Sequence, residues 1–508
     1  MGRTLAQLMA AHPEGAPAIG APGMHWLTYG GLRALSASVR NRLREAGVGP
    51  RDRVAIVLPN GASMATAFVT VAGAAVTAPL NPSYREEEFA FYLEDLQAKA
   101  ILLGAGDEGP ARAAAERFGL TVLRLSEDDE TAGLFTLACE GTPGPAAEEG
   151  TPGGDDIALI LHTSGTTSRP KIVPLLQSNL AASAGHIADS LHLKPEDRCL
   201  NVMPLFHIHG LVAAVSASLA AGGSIFCAPG FNALSFFAQM REARPTWYTA
   251  VPTMHQAILA RADRNADVIA EVPLRFLRSS SASLPAQVMA QLGETFGAPV
   301  IEAYGMTEAA HQMCSNPLTR QKPGAVGVAA GPEVAIADEV ENRLVDGLGE
   351  VVISGPNVTP GYEANPEAND KSFFEAGGKR WFRTGDQGGL DAEGFLTLTG
   401  RLKEIINRGG EKISPLEVDG VLMDHPAVAQ CVAFALPHPK LGEEVAAAVV
   451  LREGQEADEA GIRAFAAERM ADFKVPRRVL ILNEIPKGAT GKMQRIGMAG
   501  KLGLVAGA

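Results

Sequence analysis

Leu161-His162-Thr163-Ser164-Gly165-Thr166-Thr167-Ser168-Arg169-Pro170-Lys171 packs hydroxyls, a glycine and a cation into one short segment directly after an apolar run. Asp156-Ile157-Ala158-Leu159-Ile160-Leu161 reads as a buried strand and the chain from Asn179 onward as a helix, which leaves the polar run as the loop between them. A loop leaving a strand end is where helix-covered sheets bind ligands. Gly165 lets the backbone approach an anion, the Thr and Ser hydroxyls donate to its oxygens, and Lys171 adds a point charge; each charge-assisted hydrogen bond is worth roughly 1.5–3 kcal/mol. The segment is not a Walker A loop, because Lys171 lacks the preceding glycine and the following hydroxyl. Taken alone, it is equally readable as a solvated Ser/Thr turn.

Around this segment, apolar runs such as Val54-Ala55-Ile56-Val57-Leu58 and Ala100-Ile101-Leu102-Leu103 alternate with Ala-rich helical stretches, including Gly31 to Ala46 and Glu86 to Leu96. That order favours an α/β fold of parallel sheets covered by helices. From Gly349 to Gly361 the pattern changes to short β runs broken by Gly and Pro, which predicts a β-rich subdomain. After Gly400 it restarts with a helix near Pro415 to Met423, strands at Val428 to Leu436 and Glu444 to Leu451, a helix from Glu459 to Met470 and a strand at Arg478 to Leu482. A chain of 508 residues exceeds one compact core. The expected division is a large N-terminal domain over 1–400 and a small α+β domain over 401–508.

The net charge of -13, without any basic stripe interleaved with aromatics, argues against nucleic-acid binding. Cys139, Cys199, Cys227, Cys314 and Cys431 form no CxxC pair, so neither a zinc site nor a disulfide framework is suggested, and reduced thiols fit a cytoplasmic setting. The N-terminal residues lack an apolar export signal. The apolar stretches around Ala65 to Leu80 and Leu211 to Ala228 are interrupted by Thr, Ser, Gly or Pro and read as buried core, not as membrane spans. Nothing in the sequence sets the oligomeric state.

Further constellations recur along the chain. Tyr304-Gly305-Met306-Thr307-Glu308 follows a predicted strand: an aromatic there can stack on a base, Thr307 can reach a phosphate and Glu308 can hold Mg²⁺ against it. Trp381-Phe382-Arg383-Thr384-Gly385-Asp386 is expected to place a carboxylate in a tight turn, suited to a ribose diol. Gly400-Arg401-Leu402-Lys403 lies at the proposed junction, followed by Gly409-Gly410 as a flexible strip. Pro486-Lys487-Gly488-Ala489-Thr490-Gly491-Lys492 sets a lysine on a glycine-containing loop.

Together, in this order, these motifs resemble the adenylate-forming superfamily of acyl-CoA synthetases, luciferases and nonribosomal adenylation domains. Within it the likeness is closer to oxalate-CoA ligases, on Leu161-His162-Thr163, Pro204-Leu205-Phe206-His207-Ile208-His209-Gly210, Trp247 to Thr253, Arg278-Ser279-Ser280-Ser281-Ala282-Ser283-Leu284 and Thr307-Glu308-Ala309-Ala310-His311. The resemblance implies an acid–thiol ligase using ATP, Mg²⁺ and coenzyme A on a small carboxylate, in two steps through an acyl-adenylate. It implies that Thr163, Ser164, Gly165, Thr166, Thr167 and Lys171 hold the β- and γ-phosphates, that Thr307 contacts the α-phosphate and that Glu308 binds Mg²⁺. Tyr304 would stack on adenine, while Asp386 with Arg401 would hold the ribose. Lys492 would bridge carboxylate and α-phosphate. Lys403 matches the hinge about which a mobile C-terminal domain rotates, bringing Gly409 and Gly410 to the pantetheine tunnel.

The acyl pocket is read from fewer signals. In an extended segment His207 and His209 share a face, and gating of the pocket by one of them is favoured over a metal site. Arg278, at a strand end before serines, invites a second carboxylate, with an internal ion pair as the alternative. His311 joins this group if the chain turns after Glu308. Arg278, Ser281, His207 and His311 then favour oxalate or a similar small acid over a medium- or long-chain fatty acid. Ile172 departs from the family pattern, which has glycine after the lysine: either the backbone there has ordinary dihedrals or the phosphate grip is altered. Competing readings are a carrier-protein loading enzyme, disfavoured because no carrier domain follows Lys492, a luciferase-like oxygenase, and a non-catalytic scaffold.

Overall fold

The computed structural model describes residues 3–141, 145–163, 170–486 and 493–504. Two large sheets dominate. The seven-stranded sheet runs Phe135–Cys139, Thr121–Glu127, Ala100–Gly104, Arg53–Val57, Val76–Pro79, Ile157–Thr163, Lys171–Leu176. The nine-stranded sheet has Arg198–Asn201, Trp247–Ala250, Phe276–Ser280 and Val300–Met306 as parallel neighbours, then turns antiparallel at His311–Ser315. Parallel strands buried on both faces read as continuous apolar runs, as in Val54 to Val57 and Ile101 to Leu103. Between the sheets lies the helix Ala62–Ala72, whose residues are all buried, as expected for a helix apolar on every side. Helices Tyr29–Glu45 and Gln177–Ser190 join it in the same apolar core. Leu211 to Ala228 belongs to this interior, and among the described residues no helix is long and apolar enough to cross a membrane.

A smaller antiparallel sheet of Glu333–Ala337, Leu348–Ser354, Lys379–Leu390, Phe373–Ala376 and Leu396–Arg401 forms the β-rich part. Residues 406–481 build another five-stranded sheet whose apolar face packs on its own helices, Pro415–Met423 and Glu459–Ala467.

Four local expectations need correction. The polar run does not lead directly to the helix: Lys171–Leu176 is an intervening strand antiparallel to Ile157–Thr163, with Thr163 opposite Lys171, and the helix expected from Asn179 onward begins at Gln177. β-branched Ile172 and Val173 suit that strand. Asp386 lies within the long strand Lys379–Leu390 instead of a tight turn. His207 and His209 do not share an extended face, since His209 opens the π-helix His209–Ser216 and residues two apart on a helix diverge. Gly409 and Gly410 form the corner of a hairpin pairing Arg408 with Glu411, at φ 61° and 98°, so the strip is a closed turn that needs glycine at both positions.

Candidate active site

The strand Val300–Met306 carries Tyr304 to the edge of the nine-stranded sheet, and a short 3₁₀ turn, Thr307–Ala309, follows. Ala310 and His311 then adopt positive φ, 47° and 90°, which reverses the chain so that His311 pairs back against Met306. Two consecutive non-glycine residues there mark stored backbone strain. Gly305 permits the reversal: a Cβ on it would lie 1.9 Å from the His311 carbonyl oxygen. The turn after Glu308 on which grouping His311 with Arg278 depended is therefore present.

Two clusters meet at this reversal. In one, the Tyr304 hydroxyl donates to the Asp386 carboxylate, whose other oxygen forms an ion pair with Arg401, 3.2 Å from its Nε. Asp386 and Arg401 face each other across neighbouring strands, so sheet register joins residues that the sequence separates. The Asp386 carboxylate holds Arg401 above its ordinary pKa, and burial keeps Tyr304 well above its own. In the other cluster, Lys171 Nζ sits 4.2 Å over the Tyr362 ring, and the Tyr362 hydroxyl donates to Glu308 Oε1 at 2.8 Å. Burial raises the Glu308 pKa, with Tyr362, Arg401 and Lys171 pulling the other way. Burial lowers that of Lys171, which also feels Glu308, Lys403 and Lys371.

The segment Asn357 to Tyr362 straps this arrangement together. Asn357 Nδ2 donates to the carbonyls of Ala309 and Gln312 at 2.8 and 2.7 Å. Thr359 donates its N–H to the Glu308 carbonyl and its hydroxyl to the Pro174 carbonyl, both at 2.7 Å. Glu363 N–H reaches the Ile172 carbonyl at 3.1 Å. Tyr362 and its neighbours were missed in the sequence; the sole signal was Pro360-Gly361-Tyr362 after a β run. Ile172 itself is an ordinary strand residue opposite His162, with no positive φ. Ser164, Gly165, Thr166, Thr167 and Lys492 lie outside the described residues, while Thr163 closes the described end of the hairpin.

Glu308 is suited to Mg²⁺: a buried carboxylate short of cationic complement, in a site where one carboxylate and substrate phosphates supply the usual ligands.

On the other flank of the Val300–Met306 strand, His209 Nδ1 lies 3.0 Å from Ser281 Oγ and its Nε2 lies 2.6 Å from Thr249 Oγ1. His209 and His311 rings are 5.2 Å apart, and His311 Nε2 is 3.4 Å from Ser280 Oγ. Arg278 is 0 % exposed: Nη2 donates to Gln312 Oε1 at 3.2 Å, and Nη1 is 3.5 Å from both Thr249 Oγ1 and His209 Nε2. His207 is half-buried, with its ring 5.9 Å from that of Phe206. Thr249, Gln312 and Glu302 were not singled out in the sequence. Glu302 is fully buried, accepts the Leu284 N–H at 2.8 Å, and burial pushes its carboxyl up to about 8.

A family model of the AMP-binding enzyme matches residues 5–363, and one of the AMP-binding enzyme C-terminal domain matches residues 417–492. The chain belongs to the AMP-binding enzyme family. It is 46% identical over 488 residues to the oxalate–CoA ligase of Arabidopsis thaliana, covering 94% of each chain. With the oxalate–CoA ligase of Saccharomyces cerevisiae it shares 41% identity over 472 residues, 88% of this chain and 86% of the yeast protein. The ATP-bound crystal structure of MatB from Rhodopseudomonas palustris has the same fold, with a TM-score of 0.86 at 29% identity and 97% coverage of both chains.

Proposed function

We propose that the chain is an ATP-dependent, AMP-forming acid–CoA ligase whose acid is oxalate or a similarly small dicarboxylate. A carboxylate is a poor acyl donor because its charge repels nucleophiles and oxide cannot leave. Joining it to the α-phosphate of ATP, with loss of pyrophosphate, creates a leaving group; the thiol of coenzyme A then displaces AMP and gives the thioester. Catalysis of this kind is mainly positioning and charge stabilisation.

The observation that carries the reading is the meeting of Lys171, Glu308, Tyr362, Asp386 and Arg401 from widely separated stretches around one chain reversal. Lys171, with Thr163 to Thr167, takes the β- and γ-phosphates; Thr307 takes the α-phosphate; Asp386, backed by Arg401, accepts hydrogen bonds from the ribose, beside Tyr304. Bound at Glu308, Mg²⁺ would neutralise phosphate charge as pyrophosphate departs. Lys492 neutralises the approach of carboxylate to α-phosphate. Lys403 is the pivot between a 1–400 domain and a 401–508 lid, which withdraws Lys492 and presents Gly409 and Gly410 to the pantetheine arm. The acid sits against His209, Ser281 and His311, with His207 at its entrance. The likeness to two oxalate–CoA ligases supports oxalate.

Pyrophosphate release over a panel of carboxylates, with and without CoA, tests this. Oxalate and malonate are expected to lead, with AMP turnover dependent on CoA. Octanoate or longer acids outperforming them would overturn the choice of acid, and turnover without CoA would favour carrier-protein loading.

A further inference from the structure

Arg278 presents a problem of charge. Its guanidinium has no exposed surface, yet among the described residues it meets no carboxylate within hydrogen-bond distance: Gln312 Oε1, Thr249 Oγ1 and His209 Nε2 are its neutral neighbours, and its Nε has no acceptor. A buried cation without a counter-ion is costly and calls for a compensating anion near by. With no surface of its own to offer, Arg278 can reach such an anion only through its neighbours.

The proton positions of those neighbours follow by elimination. A guanidinium can only donate, so the His209 Nε2 that faces it at 3.5 Å carries a lone pair. The Thr249 hydroxyl, 2.6 Å from the same nitrogen, therefore donates to it, and Thr249 Oγ1 accepts from Arg278 Nη1. A neutral imidazole with a lone pair on Nε2 carries its proton on Nδ1, which donates to Ser281 Oγ at 3.0 Å. Ser281 is half-buried, holds φ 75°, and has used its oxygen to accept; its own proton is left to point away from His209.

We infer that Arg278, Thr249, His209 and Ser281 form a one-way hydrogen-bond chain that presents the Ser281 hydroxyl as a donor, polarised by a cation it never touches, to an acceptor-only group on the acid. This rests on the reading of the His209–Ser281–His311 wall as the acid pocket and deepens it. Ser281 is the residue that touches substrate, and Arg278, Thr249 and His209 are positioning residues. Successive bonds in a low-dielectric interior polarise one another in the same sense. The second carboxylate of oxalate answers such a donor; an alkyl substituent would leave it unsatisfied and is rejected.

The test is a double-mutant cycle on Thr249→Val and Ser281→Ala, read as KM for oxalate, KM for ATP and kcat, beside the His209 ring ¹⁵N spectrum of ligand-free enzyme. Thr249→Val keeps the shape of the side chain and leaves the cation in place, so it serves even where Arg278→Met does not fold. Each single variant is expected to raise the oxalate KM about 10- to 100-fold with the ATP KM unchanged within about twofold, and the double variant to cost no more than the worse single. The wild-type spectrum is expected to show the Nδ1-protonated ring and that of Thr249→Val a mixture. Additive losses, an unchanged oxalate KM in Thr249→Val, or a wild-type ring protonated on Nε2 would each overturn the chain. If the wild type releases no pyrophosphate with any acid, the ligase reading fails, and the ring spectrum still decides the proton order.

Discussion

The nucleotide cluster and the acid wall flank the same strand, Val300–Met306, yet balance charge in opposite ways. Around Tyr304 cations and carboxylates face one another: Arg401 pairs with Asp386, and Lys171 lies within the field of Glu308. Around His209 one cation is surrounded by neutral acceptors. The first arrangement already sets a cation against a carboxylate before any ligand arrives, so ATP would meet a framework held in part by its own ion pair. On the proposed reading the second is completed by the acid itself, which would tie selectivity to charge instead of cavity shape.

The contrast can be broken or sharpened by substitution. Lys492→Ala is expected to lower adenylate formation by about 10³-fold while sparing thioester formation from supplied acyl-adenylate, because the proposed role confines the lysine to the first half-reaction. Equal loss in the two assays would remove that role. Asp386→Asn leaves Arg401 without its anion and is expected to raise the ATP KM about 10- to 100-fold with the oxalate KM little changed; comparable rises in both would merge the two regions into one. Ile172→Gly is expected to leave the ATP KM within about twofold and to cost roughly 3–5 kcal/mol in chemical denaturation, since Ile172 is a buried strand residue. A lower ATP KM would instead reveal a phosphate grip that the side chain hinders.

The smallest effect is expected within the shared strand, at Glu302. Its carboxyl is raised from 4.5 to about 8 by burial, so the folded protein holds a proton that the unfolded chain gives up. Its contribution to stability is then fully present below about 4.5 and is lost as pH rises through about 8. Glu302→Gln should flatten that decline in denaturation midpoints measured across the interval, and an unchanged slope would show that Glu302 does not titrate with folding.

The motifs that announced the nucleotide cluster were legible because close backbone approach and cross-strand register need particular residues at fixed positions: Gly305 at the chain reversal, and Asp386 opposite Arg401. The α/β order and the C-terminal elements from Pro415 to Ile481 were legible for the same reason, as apolar period and punctuation agree. Lys171–Leu176 escaped notice because the polar run ending at Lys171 read as loop and Pro174 is unusual within a strand, while the pairing partner that makes it a strand lies across the hairpin. Tyr362, Thr249 and Gln312 were missed because single polar residues on sheets and straps carry no periodic signal. Their roles come from tertiary contact alone.

The hairpin corner at Gly409 and Gly410 has one last consequence. A two-residue turn locked between Arg408 and Glu411, its Gly409 N–H bonded to the Leu441 carbonyl at 2.8 Å, behaves as a stiff prong. If the lid swings during turnover, this prong travels in one shape and arrives already formed. Docking against a thiol-bearing cosubstrate would then demand no fresh ordering of backbone, so the pace of the second half-reaction would be governed by the pivot alone.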